Sequence, residues 1–79
     1  KKIQRLHDLT PQEKQMLVKF FENNTRSCCL DITDGVVGGL VAEEIIYRST
    51  NISKVGTLFY HNIQTWAWDY IRKNPQLLN

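Results

Sequence analysis

The stretch at residues 34–50, DGVVGGLVAEEIIYRST, decides the fold because its hydrophobic pattern changes from helical to extended. Asp34 is a good N-cap, and four apolar residues then share one side of a helix: Val36, Val37, Leu40 and Val41. The following IIYRST is rich in residues that favour strands. The stretch therefore predicts a short helix over residues 34–43 that runs directly into a strand over 45–50.

A second helix is predicted upstream by LTPQEKQMLVKFFENN, residues 9–24. Thr10 and Glu13 have the spacing of a capping box, and Pro11 suits the first helical position. The apolar residues then repeat on one helical face: Met16, Leu17, Phe20 and Phe21. We expect this helix to cover residues 11–23.

The remaining chain predicts two more strands and a final helix. RSCCLDIT, residues 26–33, is typical of a short strand, and a second strand near 56–61 would form a hairpin with 45–50. Asn62 could cap the helix IQTWAWDYIRKN, whose apolar stripe is Ile63, Trp66, Ala67, Tyr70 and Ile71. The order helix, strand, helix, hairpin, helix predicts one α+β domain. We expect one shared core: Leu17, Phe20, Leu40, Trp66 and Tyr70.

Gly38 and Gly39 lie off the apolar stripe of the middle helix. Each glycine costs a helix interior about 1 kcal/mol relative to alanine. The pair therefore predicts a close backbone approach by a neighbouring element. A phosphate-binding loop is disfavoured, because no Lys-Ser or Lys-Thr pair follows the glycines.

The helix that runs into a hairpin resembles the last helix and wing of a winged-helix domain, which raises the alternative of a DNA-binding regulator. A DNA-reading winged helix needs another helix before the recognition helix, whereas residues 24–33 are typical of a turn and a strand. Residues 34–43 also contain no Arg, Lys, Asn or Gln to read base edges. We expect a winged-helix-like domain without nucleic acid as a partner.

The positive charge is concentrated at the start of the chain, at Lys1, Lys2 and Arg5. From residue 6 onward, seven Lys/Arg and eight Asp/Glu give a net charge of −1. This balance predicts no basic face for binding phosphates. We interpret residues 1–7 as a basic stub and 8–79 as the folded domain. No apolar run in the chain is long enough to span a membrane.

The pattern of reactive residues predicts no enzyme and no catalytic, cofactor-binding or metal-binding residue. His7 and His61 have no ligand partner at a helical spacing, and we expect His61 to be half-exposed at a strand-to-helix junction. The adjacent Cys28 and Cys29 point to opposite faces of a strand, and a disulfide between them would be strained. Free thiols favour a reducing compartment.

The outer flank of the final helix is the predicted partner surface. Gln64, Trp68 and Arg72 are spaced i, i+4, i+8 and line one ridge, with Leu77 and Leu78 nearby. Trp and Arg are enriched among interface hot spots. The alternative is that the hairpin or the tail at Leu77 and Leu78 covers Trp68, which would then belong to the core.

Three segments, LTPQEKQMLVKFF, DGVVGGLVAEEIIYRST and WAWDYIRKNPQLL, give the chain a family resemblance over roughly residues 8–78. It resembles the C-terminal part of superinfection exclusion protein B, a family of temperate phages and prophages. The resemblance implies a bacterial inner-membrane protein with apolar N-terminal segments and a cytoplasmic tail that helps to block a second infecting phage. It brings no catalytic residues and no cofactor.

The resemblance also suggests a role for the basic stub. Lys1, Lys2 and Arg5 would be membrane-proximal, on the cytoplasmic side that positive residues favour. The partners would then be the membrane surface, through spanning segments outside this chain, and an unknown phage or host protein. A second copy of the chain is a further possible partner.

Overall fold

The computed structural model describes residues 3–79, and within them helices alternate with short strands. The elements in chain order are α1 (Ile3–Leu6), α2 (Pro11–Glu22), β1 (Ser27–Asp31), α3 (Gly35–Ala42), β2 (Ile46–Arg48), β3 (Leu58–Ile63), α4 (Thr65–Lys73) and a terminal 3-10 helix (Pro75–Leu78). The predicted α+β class is confirmed. The capping box of Thr10 and Glu13 is present at the start of α2, and Asp34 caps α3.

The three strands form one antiparallel sheet in the order β1-β3-β2. Leu30 lies opposite Phe59, and Ile46 lies opposite Ile63. Because side chains alternate along a strand, these residues share one face of the sheet, which we call the inner face. Tyr47 and Tyr60 point to the other face and are exposed.

The core lies between the inner face of the sheet and the helices. Its most deeply buried members come from several elements: Leu6, Leu17, Phe20, Leu40, Ile45, Ile63 and Ile71. Leu17, Phe20 and Leu40 were predicted for this core, and the structure confirms them. Trp66 and Tyr70, also predicted for this core, are only partly buried and pack against it.

The start of α4 differs from the sequence prediction. Asn62 was expected to cap the helix, but it belongs to β3, where it pairs with Ser27 on one side and Tyr47 on the other. Ile63 also stays in the strand, fully buried opposite Ile46. Strand pairing on both sides of β3 therefore overrides the local cap signal, and Gln64 takes the N-cap position.

The N-terminal helix α1 belongs to the folded unit. Leu6 is 1% exposed and joins the core, and Leu9 is also buried. His7 Nε2 lies 2.9 Å from the Tyr70 hydroxyl on α4. The predicted boundary at residue 8 is therefore too late, because the fold already includes residues 3–7. Lys1 and Lys2 lie outside the described residues.

The backbone of no neighbouring element closely approaches the two glycines of α3. A Cβ atom added at Gly38 would have no neighbour within 4 Å, and one at Gly39 would meet only Glu13 Oε2, at 4.0 Å. The prediction of a tight backbone contact was therefore wrong. Gly38 instead borders open space above the inner face of the sheet.

One helix, α3, connects β1 to β2 in the described part of the chain. The additional helix that a DNA-reading winged helix places before its recognition helix is thus absent between these strands. The connection between β2 and β3 spans residues 49–57 and turns at Gly56, whose φ of 55° is a conformation that suits glycine.

We predict that Phe20→Ala lowers the free energy of unfolding by about 3–5 kcal/mol, because it leaves a cavity beneath α2. A domain of this size has little stability to spare. Urea denaturation measures the change, and the exposed Gln15→Ala on the same helix is the control. A loss below about 1 kcal/mol would show that this face of α2 is not the buried one.

Candidate functional site

Trp68 was predicted as an exposed partner residue, and the structure places it in the core. Its side chain is 8% exposed and stacks on Phe21, with ring centroids 4.6 Å apart and an interplanar angle of 13°. The exposed-ridge interpretation is therefore wrong for Trp68. The ring that stacks on it, Phe21, belongs to α2, an element that the sequence analysis did not consider as its cover.

The other residues of that predicted surface are divided between core and solvent. Leu77 is buried, while Leu78 and Gln64 are half-buried. Arg72 is exposed, with its guanidinium carbon 5.8 Å from the centroid of the Trp68 ring. On this flank of α4, the exposed Arg72 therefore lies over the buried ring of Trp68. The flank has no exposed aromatic side chain of the kind found at interface hot spots.

Arg5, predicted as part of the membrane-proximal stub, is engaged inside the fold. Its Nη2 atom donates to Glu13 Oε2 at 2.7 Å, and its Nε atom lies 3.6 Å from Glu43 Oε1. The Glu13 side chain is 10% exposed and the Arg5 side chain is 25% exposed, so this ion pair is partly shielded from solvent. Of the three predicted stub charges, Arg5 therefore serves the packing of α1 against α2 and α3.

Four of the exposed large apolar side chains lie on the far side of the sheet and in the β2–β3 loop. Tyr47 and Tyr60 project from what we call the outer face, and the Tyr47 hydroxyl accepts a hydrogen bond from Asn62 Nδ2 at 3.2 Å. In the loop, which we call the hairpin tip, Ile52 is 78% exposed and Val55 is 66% exposed. No described helix covers the outer face, because the helices pack on the inner one.

The outer face is held in position by regular strand pairing. Cys29 lies directly opposite Tyr60, and Asn62 lies directly opposite Tyr47. The Lys54 amine lies 5.8 Å from the centroid of the Tyr60 ring, so the hairpin tip approaches this face. Sequence reasoning missed these tyrosines as a surface, although their alternation with buried Ile46 and His61 is the signal that could have found them.

The two cysteines lie on opposite faces of β1, as predicted, and both are free. Cys28 packs against the core, and burial raises the pKa of its thiol. A raised pKa keeps the thiol protonated and weakens it as a nucleophile or metal ligand. Among residues 3–79, no three His, Cys, Asp or Glu side chains are grouped closely enough to hold a metal ion.

Comparison with known proteins identifies a family for this chain. The family model of super-infection exclusion protein B matches residues 1–75, which is nearly the whole chain. The chain belongs to this family. Neither the curated proteins nor the solved structures provide a match.

Membership in the super-infection exclusion protein B family assigns a role in superinfection exclusion. This family is not a known enzyme family. In residues 3–79, no helix has the length and apolar character that crossing a membrane requires, and the longest, α2, has 12 residues.

We predict that Trp68→Ala destabilises the domain by about 3–5 kcal/mol, because it removes a buried ring and its stacking partner for Phe21. Thermal and urea unfolding measure the change. Arg72→Ala, which removes the exposed cation above the same ring, is the control and should cost less than about 1 kcal/mol. If both variants lost less than about 1 kcal/mol of stability, Trp68 would be a surface residue and its assignment to the core would be wrong.

Proposed function

We propose that this chain is the contact-making domain of a membrane-tethered exclusion protein. It lies on the cytoplasmic side of the bacterial inner membrane and binds a protein of the superinfecting phage or of the host. The observation that carries the proposal is the uncovered outer face, where Tyr47 and Tyr60 are exposed on neighbouring strands. The domain blocks the second phage by contact, without catalysis.

The composition of this surface supports a protein partner. Tyrosine is enriched in protein interfaces because its ring contributes apolar contact area while its hydroxyl forms hydrogen bonds. The hairpin tip adds Ile52 and Val55, two aliphatic side chains that are largely exposed. Exposed apolar groups that are gathered on one side of a small domain are typical of an interaction site.

The membrane tether is supported by the charges at the start of the chain. Lys1 and Lys2 precede α1, and the charge of Arg5 is already paired with Glu13 and Glu43. Apart from Arg5, the positive charge of this segment comes from the two lysines, and positive residues suit the cytoplasmic side of a membrane. Since α1 is fixed to the core through Leu6, a tether attached there would hold the whole domain in one orientation.

Other partners fit this surface less well. A DNA-binding regulator needs base-reading side chains on α3, which contains none of Arg, Lys, Asn or Gln. A second copy of the chain could use the same tyrosines, and self-association would then precede binding of the target. Sedimentation of the full-length protein distinguishes these cases, because only self-association depends on the protein's own concentration.

We predict that the double substitution Tyr47→Ser and Tyr60→Ser abolishes exclusion while the domain stays folded, because both side chains are exposed. Plating a superinfecting phage on cells that carry the full-length variant measures exclusion, and circular dichroism checks the fold. The control pair, Gln12→Ser and Gln15→Ser, removes two exposed side chains from α2 and should leave exclusion intact.

Unchanged exclusion in the tyrosine variant would remove the outer face as the contact surface. The pair Ile52→Ser and Val55→Ser then tests the hairpin tip by itself. If both pairs leave exclusion at the original level, the proposal that this side of the sheet makes the contact is wrong.

We predict that Lys1→Ser with Lys2→Ser weakens binding of the chain to anionic vesicles by about 30-fold at low salt. Each lysine near an anionic surface contributes about 1 kcal/mol, and 1.4 kcal/mol corresponds to a factor of ten. Co-sedimentation with phosphatidylserine vesicles measures the partition. Lys19→Ser, on the exposed surface of α2, is the control, and an equal effect of this change would show nonspecific attraction instead of a membrane-facing end.

A further inference from the structure

The strand β1 forms one edge of the sheet, because the order β1-β3-β2 places a strand on only one side of it. In an antiparallel pair, every second residue of a strand directs its N–H and C=O groups toward the neighbouring strand. Ile63 N–H donates to the Arg26 carbonyl at 2.9 Å, and Ile32 N–H donates to the Thr57 carbonyl at 3.0 Å. The even-numbered residues along β1 therefore bond to β3, and the odd-numbered residues direct their backbone groups outward, away from the sheet.

Local hydrogen bonds close part of this edge at both ends of the strand. The Thr25 hydroxyl accepts from the Ser27 N–H and donates to the Ser27 carbonyl, both at 3.2 Å. At the other end, the Asp31 carbonyl accepts the Asp34 N–H at 3.1 Å, in the turn that leads into α3. A long extended peptide would therefore meet groups that are already paired.

Cys29, at the centre of β1, is the open position of the edge. Among residues 3–79, nothing bonds to its outward N–H or to its outward carbonyl. The Asp31 N–H is open as well, and the Ser27 carbonyl keeps a second lone pair. The edge thus presents a donor and an acceptor at its centre, with one further acceptor on one flank and one further donor on the other.

This arrangement of open groups is complementary to itself. In an antiparallel pair centred on Cys29, the Cys29 residues of two copies face each other and exchange both N–H···O=C bonds. Asp31 of each copy then lies opposite Ser27 of the other, where the open Asp31 N–H meets the Ser27 carbonyl. The Ser27 N–H and the Asp31 carbonyl also face each other, and both keep their local partners. A shift of the register would set closed groups against open ones.

The same register also matches the side chains. On the inner face, Cys28 lies opposite Leu30 of the second copy, so two apolar side chains meet. Ile32, which is 38% exposed, lies opposite Arg26, whose aliphatic stem covers apolar surface. No two like charges lie directly opposite each other in this register, an arrangement that would destabilise the pair.

We propose that β1 pairs with β1 of a second copy of this chain, antiparallel and centred on Cys29, so that the two sheets become one. The pair is made through the edge of the sheet and covers neither of its faces. Tyr47 and Tyr60 therefore remain exposed in both copies, and the joined sheet presents two outer faces side by side. The proposal does not depend on the contact function of the outer face.

Disulfide cross-linking of the chain with diamide tests the register. In the proposed pair, the Cys29 Cα atoms lie about 5.5 Å apart, within the range of a disulfide. The Cys28 Cα atoms lie on the diagonal, about 7–8 Å apart, and exceed that range. Each reacting thiol gives one proton and one electron to diamide, which is reduced to its hydrazine, and one S–S bond joins two copies. Cys28→Ser should therefore form a covalent dimer, and Cys29→Ser should form none.

A matched control separates pairing from random collision. In a chain with Cys28→Ser and Cys29→Ser, the further change Ser49→Cys places a thiol at an exposed position just after β2, at the other edge of the sheet. This thiol should cross-link at least about tenfold more slowly than Cys29, because no pairing raises its effective concentration.

Sedimentation equilibrium measures the pair without a covalent bond. Cys29→Asp places two carboxylates opposite each other and should weaken dimerisation by at least about tenfold. Cys29→Asn, which has the same shape without the charge, is the control and should dimerise as the original chain does. Thermal melts establish that each variant is folded. If Cys29→Asp does not fold, Ile32→Lys replaces it, since its amine would face Arg26 of the second copy and weaken the pair by a similar factor.

Three results would overturn the proposal. They are a chain that stays monomeric at millimolar concentration, a Ser49→Cys thiol that cross-links as fast as Cys29, and a Cys29→Asp variant that dimerises as tightly as Cys29→Asn. Tyr47→Ser should leave dimerisation unchanged, because its side chain lies on the outer face of the strand at the other edge. A loss of dimers in Tyr47→Ser would show that the copies associate through the outer face instead.

Discussion

The carboxylate of Glu13 is the interaction on which the arrangement of the helices depends. One oxygen accepts the Thr10 N–H at 2.9 Å, which completes the cap of α2, and the other accepts the Arg5 guanidinium at 2.7 Å, which holds α1. Burial alone would raise the pKa of Glu13, but these hydrogen bonds and the charge of Arg5 outweigh it and hold the pKa below its ordinary 4.5. Glu13 is therefore ionised at neutral pH, and its contribution to stability is lost only as acid protonates it.

The ion pairs of Arg5 connect the proposed membrane tether to the proposed contact surface. Through Glu13 and Glu43, Arg5 joins the N-terminal helix to both α2 and α3, and α3 leads directly into the sheet. The proposed tether would then be rigidly connected to the outer face, so that the membrane fixes the direction in which the tyrosines point. A flexible stub would lack this property, and in that case the contact surface would be free to rotate relative to the membrane.

Local signals in the sequence predicted the parts of the fold that local physics determines. The capping box of α2 and the Asp34 cap of α3 depend on residues two or three apart and were confirmed. Tertiary packing decided the rest. Asn62 has the residue type of a helix cap, but it pairs within the sheet instead. Trp68 lies off the apolar stripe of its own helix, and it is buried because Phe21, far away in the chain, stacks on it. His61 was expected to be half-exposed, but it is buried at 1% exposure, and its alternation with Phe59 and Ile63 could have placed it inside. The open space beside Gly38 has no sequence signature.

A double-mutant cycle between Arg5 and Glu13 tests this account most directly. Arg5→Met retains the apolar stem of the side chain, and Glu13→Gln retains the capping box while removing its charge. Urea unfolding of the four proteins at pH 7 should give a coupling free energy of about 1–2 kcal/mol. Effects that add within about 0.5 kcal/mol would show that the two residues act independently and that the N-terminal helix is held by Leu6 and its apolar contacts alone.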